Sequence, residues 1–171
     1  VLTDPDFFQG SLADITAARE VLTIPLLRKE FIVDRYQIAE AKAYGADIIL
    51  LIAACLSPEE IEEFSSYAKS LGLNVLLEVH NEEELVANIF DTIDAIGVNN
   101  RNLKDFIVSL DHSYDLVNKI PNSYIKVSES GISDPQTIKD LKRKGFDSFL
   151  IGENFMKTAD PATAIKEFVA L

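Results

Sequence analysis

Cysteine is almost absent from this sequence, and glycine and proline are sparse. The 171 residues hold one cysteine, seven glycines and six prolines. A single cysteine excludes a disulfide framework within the chain, and because Cys55 lies inside an apolar run we expect a buried, inert thiol in a reducing compartment. Scattered single glycines and prolines argue against a fibrous or low-complexity protein. The remainder, 47% hydrophobic and 26% charged residues, is typical of a globular protein long enough to bury a core.

The sequence also lacks an excess of positive charge and any long apolar run. Its formal net charge is −12, with no basic block to offset it, so we expect neither nucleic acid nor an anionic membrane as a partner. The negative net charge does not exclude a small anionic substrate, provided that a few cationic side chains and backbone N–H groups converge in one cleft. The longest apolar stretch, Ile48 to Cys55, is too short to span a bilayer. Residues 1–10 carry Asp, Pro and Gly where a signal peptide is apolar, so a cytoplasmic protein is expected.

Short apolar runs alternate with amphipathic stretches along the whole chain. The repeat is roughly 20 to 30 residues, the size of a βα unit. Ser11, Asp34, Ser57 and Asn81 are helix-start signals, and later helices are predicted over Asp111–Ile120, from Ser133 to Gly145, and without interruption through Leu171. After a stub at Val1–Thr3, the predicted strands are Leu26–Lys29, Asp47–Ala53, Asn74–Val79, Asp94–Val98, Tyr124–Ser128 and Asp147–Ile151.

Strict βα alternation predicts a parallel sheet, either doubly wound or closed as a barrel. The absence of an obvious switch point, together with polar residues at the carboxyl ends of many successive strands, favours the barrel. No linker is visible, which indicates one domain over residues 1–171. If the last two strands are the seventh and eighth, the chain is an incomplete (β/α)₈ TIM barrel that runs from the end of strand 2 through helix 8.

Two charged residues at strand ends are candidates for acid–base chemistry. In the run Leu76-Leu77-Glu78-Val79, side chains alternate between faces, so Glu78 points into the mouth while Leu77 and Val79 point towards the helices. Lys29 ends an earlier strand at the same rim. A lysine and a glutamate across a cleft form a plausible acid–base pair. The alternative is that both are ordinary ion-paired groups, with Lys29 bound to Glu30 or Asp34.

Two glycine turns suggest a phosphate site. Ser130-Gly131 follows one strand, and Gly152 follows the next and opens a helix, where backbone N–H groups can reach an anion. Barrels often bind phosphate after strands 7 and 8. The alternative is that both glycines only make tight turns. His80 and His112 are weaker candidates, more typical of a loop and a solvated helix start, and no spacing matches a metal site.

Seven segments, in order, resemble the indole-3-glycerol-phosphate synthase family over essentially the whole chain. They are VLTDPDFFQGS, LLRKEFIVDRYQI, ADIILLIAACL, LLEVHNEEEL, IGVNNRNL, KVSESGI and FLIGENFM. The resemblance implies a carboxy-lyase of tryptophan biosynthesis that needs no cofactor. Its substrate would be an anionic phosphosugar, 1-(2-carboxyphenylamino)-1-deoxyribulose 5-phosphate, whose indole ring is closed with loss of CO₂ and water.

The resemblance also implies roles for individual residues. Lys29 resembles the general acid that acts at the substrate ketone, and Glu78 resembles its partner in dehydration. Asn99, Glu129 and Ser130 resemble residues that orient these groups and the substrate hydroxyls. The phosphate would be held by Gly131, Gly152 and the backbone of Glu153. The anthranilate pocket would be lined by Phe8, Phe31, Leu50, Arg101 and Leu103.

The chain departs from the family at its front. Family members carry a helical extension and a first strand with Glu-x-Lys and Ser-Pro-Ser motifs that belong to the active site, and none of these is present here. We therefore expect this chain alone to be inactive. One alternative is phosphoribosylanthranilate isomerase, although that enzyme needs a Cys/Asp pair at strand ends and Cys55 precedes a helix cap instead. Another is a non-catalytic barrel fragment that self-associates through its unpaired edges.

Overall fold

Strands and helices alternate throughout the computed structural model, which describes residues 1–7, 9–102 and 106–170. The described residues contain six strands and eight helices. They divide into two units, one formed by Val1–Val79 and Glu83–Ala95, the other by His80–Glu82 and Ile96–Leu171. The βα alternation predicted from the sequence is therefore confirmed along both units.

The first unit holds three parallel strands in sequence order: β1 (Leu27–Arg28), β2 (Ile48–Ile52) and β3 (Asn74–Val79). Leu27 pairs with Ile48, and β2 pairs with β3 from Ile48↔Asn74 to Ile52↔Glu78. The predicted stub is also present, because Leu2 forms an isolated parallel bridge with Lys29. Parallel pairing brings the carboxyl ends of these strands to one edge. The helices along this part of the chain are α1 (Leu12–Val21), which precedes β1, then α2 (Arg35–Tyr44), α3 (Pro58–Ser70) and α4 (Glu82–Ala87), whose first residue belongs to the second unit.

Local sequence signals explain where these helices begin and end. Asp34 and Gln37 form a capping box at the start of α2, and Ser57 and Glu60 form another at the start of α3. Helix α2 ends at Gly45, whose φ of 98° is left-handed and therefore suits glycine. The core is aliphatic, because β2 and β3 are buried on both faces, as is usual for parallel strands between helices. Ile15, Ile38, Ile49, Leu51 and Leu77 are fully buried there.

The second unit holds β4 (Ala95–Asn99), β5 (Ile125–Glu129) and β6 (Ser148–Leu150) as successive neighbours. Strands β5 and β6 are parallel, with Val127 opposite Ser148 and Glu129 opposite Leu150. Their helices are α5 (Asp111–Leu116), α6 (Pro135–Lys144), α7 (Glu153–Met156) and α8 (Pro161–Val169). Its buried core includes Ile96, Val98 and Leu141.

Two helix predictions were wrong in their extent. Helix α5 ends at Leu116 and not at Ile120, and turns lead from there to Pro121, which disfavours a helical conformation for the residue before it. The last segment is two helices, not one. Asp160 caps α8 through the amide of Thr163, and Pro161 stands at the first helical position, where it cannot continue a preceding helix.

The prediction of a buried cysteine was also wrong, because Cys55 is exposed. The apolar run continues past the end of β2, but the chain turns there, and the amide of Cys55 donates to the carbonyl of Ile52. Hydropathy alone did not reveal that turn. Of the helices in the described ranges, none is long and apolar enough to cross a membrane.

Candidate active site

Lys29 and Glu78 meet at the carboxyl ends of β1 and β3 in the first unit. Lys29 Nζ lies 3.5 Å from Glu78 Oε2. The lysine side chain is 21% exposed, whereas the glutamate side chain is only 2% exposed. Backbone hydrogen bonds fix both strand ends: the amide of Lys29 donates to the carbonyl of Val1, and the amide of Ala53 donates to the carbonyl of Glu78. The predicted convergence of this lysine and this glutamate is therefore confirmed.

The buried carboxylate of Glu78 has the ammonium of Lys29 as a partner. A carboxylate as buried as that of Glu78 is costly unless a cation accompanies it, and Lys29 supplies that cation from the more open side. The acids expected as alternative partners of the lysine have contacts of their own. Glu30 accepts from Thr3 Oγ1 at 2.8 Å, and Asp34 accepts from the amide of Tyr36 at 2.7 Å.

Behind Lys29 stands Arg28, which sequence reasoning treated only as part of a strand end. Its side chain is 3% exposed, and Nη2 lies 2.9 Å from Glu40 and 3.6 Å from Glu30. The guanidinium also donates to Thr3 Oγ1 at 3.1 Å and to the carbonyl of Gln37 at 2.7 Å. These contacts join β1 to α2. The sequence did contain a signal for this buried cluster, because Arg28 is a charged residue within an otherwise apolar strand.

The thiol of Cys55 responds to the carboxylates of this edge. Although the residue as a whole is exposed, partial desolvation of its sulfur raises the pKa of the thiol above the ordinary value, and the negative charges of Glu78 and Glu84 raise the pKa further. All three groups belong to the first unit, and Cys55 lies in the turn that follows β2. We therefore expect the pKa of Cys55 to depend in part on the charge of Glu78.

Aromatic and aliphatic side chains accompany the pair in the first unit. Phe31, two residues after Lys29, is partly exposed, and Phe7 meets its ring edge-on with the centroids 5.7 Å apart. Leu50 lies buried on β2. Phe8, which was predicted to line the same pocket, lies outside the described residues.

In the second unit, the polar residues Asn99 and Glu129 are buried at the ends of β4 and β5. Asn99 Oδ1 accepts from the amide of Arg101 at 2.9 Å. After β5 the chain turns sharply, because Ser130 and Gly131 have φ values of 67° and 75°. A Cβ on Gly131 would lie 2.5 Å from Val108 Cγ1, so both the left-handed backbone and this close approach require glycine.

The second predicted glycine turn differs from the first. Gly152 is exposed at the start of the short helix α7, with a φ of −122°, and a Cβ added there would enter open space. The side chain of Glu153 points into solvent, and its carboxylate lies 2.6 Å from Arg101 Nη2. This leaves the backbone, and not the carboxylate, as the group at the turn that an anion could use. Leu103, the remaining predicted pocket residue, lies outside the described residues.

Comparison with known proteins agrees with the strand-end pattern. A family model for indole-3-glycerol phosphate synthase matches residues 1–168. Curated proteins of that name are 49% identical over 99% of this chain in Bacteroides thetaiotaomicron, and 47% identical over 98% in Sulfurimonas denitrificans. These matches cover 65% and 64% of the two relatives, so the chain spans about two thirds of their length.

Solved structures with low sequence identity share the fold. A 3-hexulose-6-phosphate synthase from Salmonella typhimurium superposes with a TM-score of 0.81 at 18% identity, over 99% of this chain and 83% of that one. A mutant tryptophan synthase α-subunit from Pyrococcus furiosus gives 0.74 at 16% identity, over 94% and 73%. The α/β fold is thus shared with these two structures, whereas the family model and the curated relatives identify the family. The chain belongs to the indole-3-glycerol phosphate synthase family.

Proposed function

We propose that the full-length protein, meaning one of the length of these relatives that contains this chain, is an indole-3-glycerol phosphate synthase. It would convert 1-(2-carboxyphenylamino)-1-deoxyribulose 5-phosphate into indole-3-glycerol phosphate, CO₂ and water. The observation that carries this proposal is the Lys29–Glu78 pair, in which the ammonium of a largely buried lysine lies 3.5 Å from a buried carboxylate at the carboxyl ends of β1 and β3. The names and identities of the relatives support the same activity.

The pair can supply the protons that the reaction needs. As the ring carbon that carries the carboxylate attacks the substrate ketone, the new C–C bond leaves negative charge on the ketone oxygen, and Lys29 donates a proton there. Loss of CO₂ then restores the aromatic ring. In the dehydration, the hydroxyl formed from the ketone takes up a proton and leaves as water, while the adjacent carbon bonded to nitrogen loses a proton and the double bond of the indole forms. Glu78 transfers one of these two protons. Metal ions and organic cofactors have no part in these steps.

The other predicted residues keep their proposed roles around this chemistry. Asn99, Glu129 and Ser130 orient the substrate hydroxyls, and Gly131, Gly152 and the Glu153 backbone hold the phosphate. Apolar and cationic groups hold the anthranilate ring and its carboxylate. The anthranilate pocket would comprise Phe8, Phe31, Leu50, Arg101 and Leu103.

We also propose that residues 1–171 form a single partial barrel domain, from the end of strand 2 through helix 8, in a cytoplasmic enzyme. The alternation of strands and helices supports this assignment, as does the superposition on a phosphosugar enzyme over nearly the whole chain. The net charge of −12 disfavours nucleic acid and an anionic membrane as partners and does not exclude a small anionic substrate.

The assay that tests this function is the appearance of indole-3-glycerol phosphate fluorescence from the carboxyphenylamino substrate. The full-length protein should turn over, and residues 1–171 alone should not, because the family's first strand brings a further lysine and glutamate to the active site. Conversion of phosphoribosylanthranilate by the full-length protein, without ring closure, would instead identify an isomerase. Turnover by a soluble monomer of residues 1–171 would disprove the proposed inactivity of the chain alone.

The isolated chain should self-associate. Large apolar side chains are exposed in each unit: Val21 and Ile24 in the first, and Ile165 and Val169 on α8 in the second. Apolar groups left in water favour association. Light scattering of residues 1–171 should show species larger than a monomer, whereas a monodisperse 19 kDa particle would contradict this expectation.

A further inference from the structure

Asn100 is fully buried, and its side-chain amide binds the turn that follows β5. Its Nδ2 lies 3.0 Å from the carbonyl oxygen of Glu129, 3.2 Å from that of Ser130, and 3.1 Å from Ser128 Oγ. Its own backbone amide donates to the carbonyl of Glu129 at 2.9 Å. One residue at the end of β4 therefore holds two successive carbonyl groups of the turn.

The orientation of this amide is itself fixed. Asn100 Oδ1 accepts from the backbone amide of Ser113 at 3.2 Å, which leaves Nδ2 to face the turn. The hydroxyl of Ser113 lies 2.8 Å from that of Ser128, so a small buried polar network surrounds the asparagine. The backbone carbonyl of Asn100 also accepts from the amide of Ser109. The side chain therefore connects the end of β5 with the start of α5.

The turn that Asn100 holds is strained. Ser130 has a φ of 67°, a left-handed conformation that residues other than glycine adopt at a cost in free energy and keep only where their surroundings hold it. Gly131 follows with a φ of 75°. The amide of Asn100 donates to the carbonyls of Glu129 and Ser130, on either side of the left-handed Ser130, and these hydrogen bonds help to hold that conformation.

We propose that Asn100 is a positioning residue that gives the Glu129-Ser130-Gly131 turn its anion-binding shape. In a trans peptide the C=O and N–H groups point in opposite directions. Because the carbonyls of Glu129 and Ser130 both point at Asn100, the N–H groups of Ser130 and Gly131 both point away from it. Two successive N–H groups on one side of the backbone form a concave site for an anion such as phosphate. This role rests on the proposed function, which assigns the turn to the substrate.

Aspartate in this position would be isosteric but would lack the donors. Its carboxylate oxygen would face the carbonyl oxygens of Glu129 and Ser130. The turn would therefore lose both hydrogen bonds from residue 100, and the oxygens would repel one another. The matched control is Ser113→Ala, which removes the hydroxyl contact with Ser128 but leaves every hydrogen bond from Asn100 to the turn. Both substitutions disturb the same buried hydrogen-bond network, but only Asn100→Asp removes the hydrogen bonds to the carbonyls of Glu129 and Ser130.

The test uses the full-length protein with two measurements: steady-state kinetics, and the rise in Tm produced by inorganic phosphate. Asn100→Asp should raise KM about tenfold or more, should change kcat much less, and should abolish the phosphate-dependent rise in Tm. Ser113→Ala should lower Tm but keep both the wild-type KM and the full phosphate response. If Asn100→Asp does not fold, Asn100→Ser supplies the same comparison, because it is smaller and leaves room for water.

The outcomes separate the two proposals. A folded Asn100 variant with wild-type KM and phosphate response overturns the positioning role, as does a Ser113→Ala variant whose KM rises equally. A full-length wild-type protein that does not close the indole ring overturns the proposed function, yet the phosphate response still reports on Asn100. If the wild-type protein shows neither turnover nor stabilisation by phosphate, both proposals fail.

Discussion

Arg28 and Lys29 are neighbours in sequence, but their side chains bind on different sides of β1. The Arg28 guanidinium lies 2.9 Å from Glu40 on α2, whereas the Lys29 ammonium lies 3.5 Å from Glu78 on β3. Successive side chains of a strand point to opposite faces. Arg28 therefore binds helix α2, whereas Lys29 points to the other side and contacts Glu78 at the end of β3. The contacts of Arg28 with Glu30 and with α2 therefore hold the backbone of β1 in place, and this fixes the position from which the Lys29 side chain extends.

Replacing Lys29 by alanine in the full-length protein should remove the proton donor. We expect kcat to fall by about 100-fold or more, with a smaller change in KM, because general acid catalysis contributes to the transition state and little to substrate binding. Steady-state fluorescence kinetics measure both constants. Lys42→Ala is the matched control, since Lys42 is an exposed lysine in the last turn of α2, and its kinetics should equal those of the wild type. Wild-type turnover by Lys29→Ala would show that the assigned role is wrong.

Glu78 and Lys29 should behave as one catalytic unit. Glu78→Gln keeps the shape of the side chain but removes the charge that accompanies the ammonium, so kcat should fall. The double variant should lose little more activity than the more damaged single variant, because groups that act together are not additive. The same fluorescence assay supplies the four rates of the double-mutant cycle. Strictly additive losses would mean that the two residues act independently.

Arg28→Met should destabilise the full-length protein by about 3–5 kcal/mol, because it leaves the buried carboxylate of Glu30 and the partly buried carboxylate of Glu40 without their cation. Urea denaturation measures the change in the free energy of unfolding. The control is Arg143→Met, which breaks an exposed pair with Asp140 on α6 and should cost about 1 kcal/mol or less. Equal losses for the two arginines would contradict the structural role of the Arg28 cluster.

Much of the fold follows from local signals that the sequence displays directly. Capping residues such as Asp34 and Ser57 define helix starts, and the alternation around Glu78 identifies the side chain that reaches Lys29. Contacts between distant segments were beyond such reasoning. Arg28 meets Glu40 only because α2 packs behind β1, and Asn100 meets the carbonyl of Ser130 only because β4 and β5 are neighbours.

Other misses came from local signals that pointed in different directions. An apolar run normally continues a strand, but at Cys55 the chain has already turned towards α3, so the thiol is exposed. Asp160-Pro161 is a helix-start signal, but it lies within a stretch that otherwise resembles one continuous helix. In both places the hydropathy of the side chains continued an element that the backbone had ended, at a turn near Cys55 and at a new helix start at Asp160.

The reactivity of Cys55 should depend on pH in a way that reports on Glu78. Burial first, and then the charges of Glu78 and Glu84, raise the pKa of this thiol. Because only the thiolate is nucleophilic, a raised pKa means less thiolate at any given pH. Alkylation by iodoacetamide, followed by mass spectrometry, should therefore be slower than that of an unstructured cysteine peptide at neutral pH. Its rate should level off at a higher pH than that of the peptide.

Two substitutions distinguish this electrostatic effect from simple shielding. Glu78→Gln removes one of the negative charges, so the pKa of Cys55 should fall and alkylation at a fixed pH should become faster. Glu63→Gln removes a carboxylate that pairs with Arg35 on the exposed surface of α3, and it should leave the rate unchanged. If Glu78→Gln leaves the pH profile of alkylation unchanged, the thiol does not sense that carboxylate. The proposed electrostatic coupling between Cys55 and Glu78 would then be disproved, whereas the Lys29–Glu78 contact rests on its own geometry.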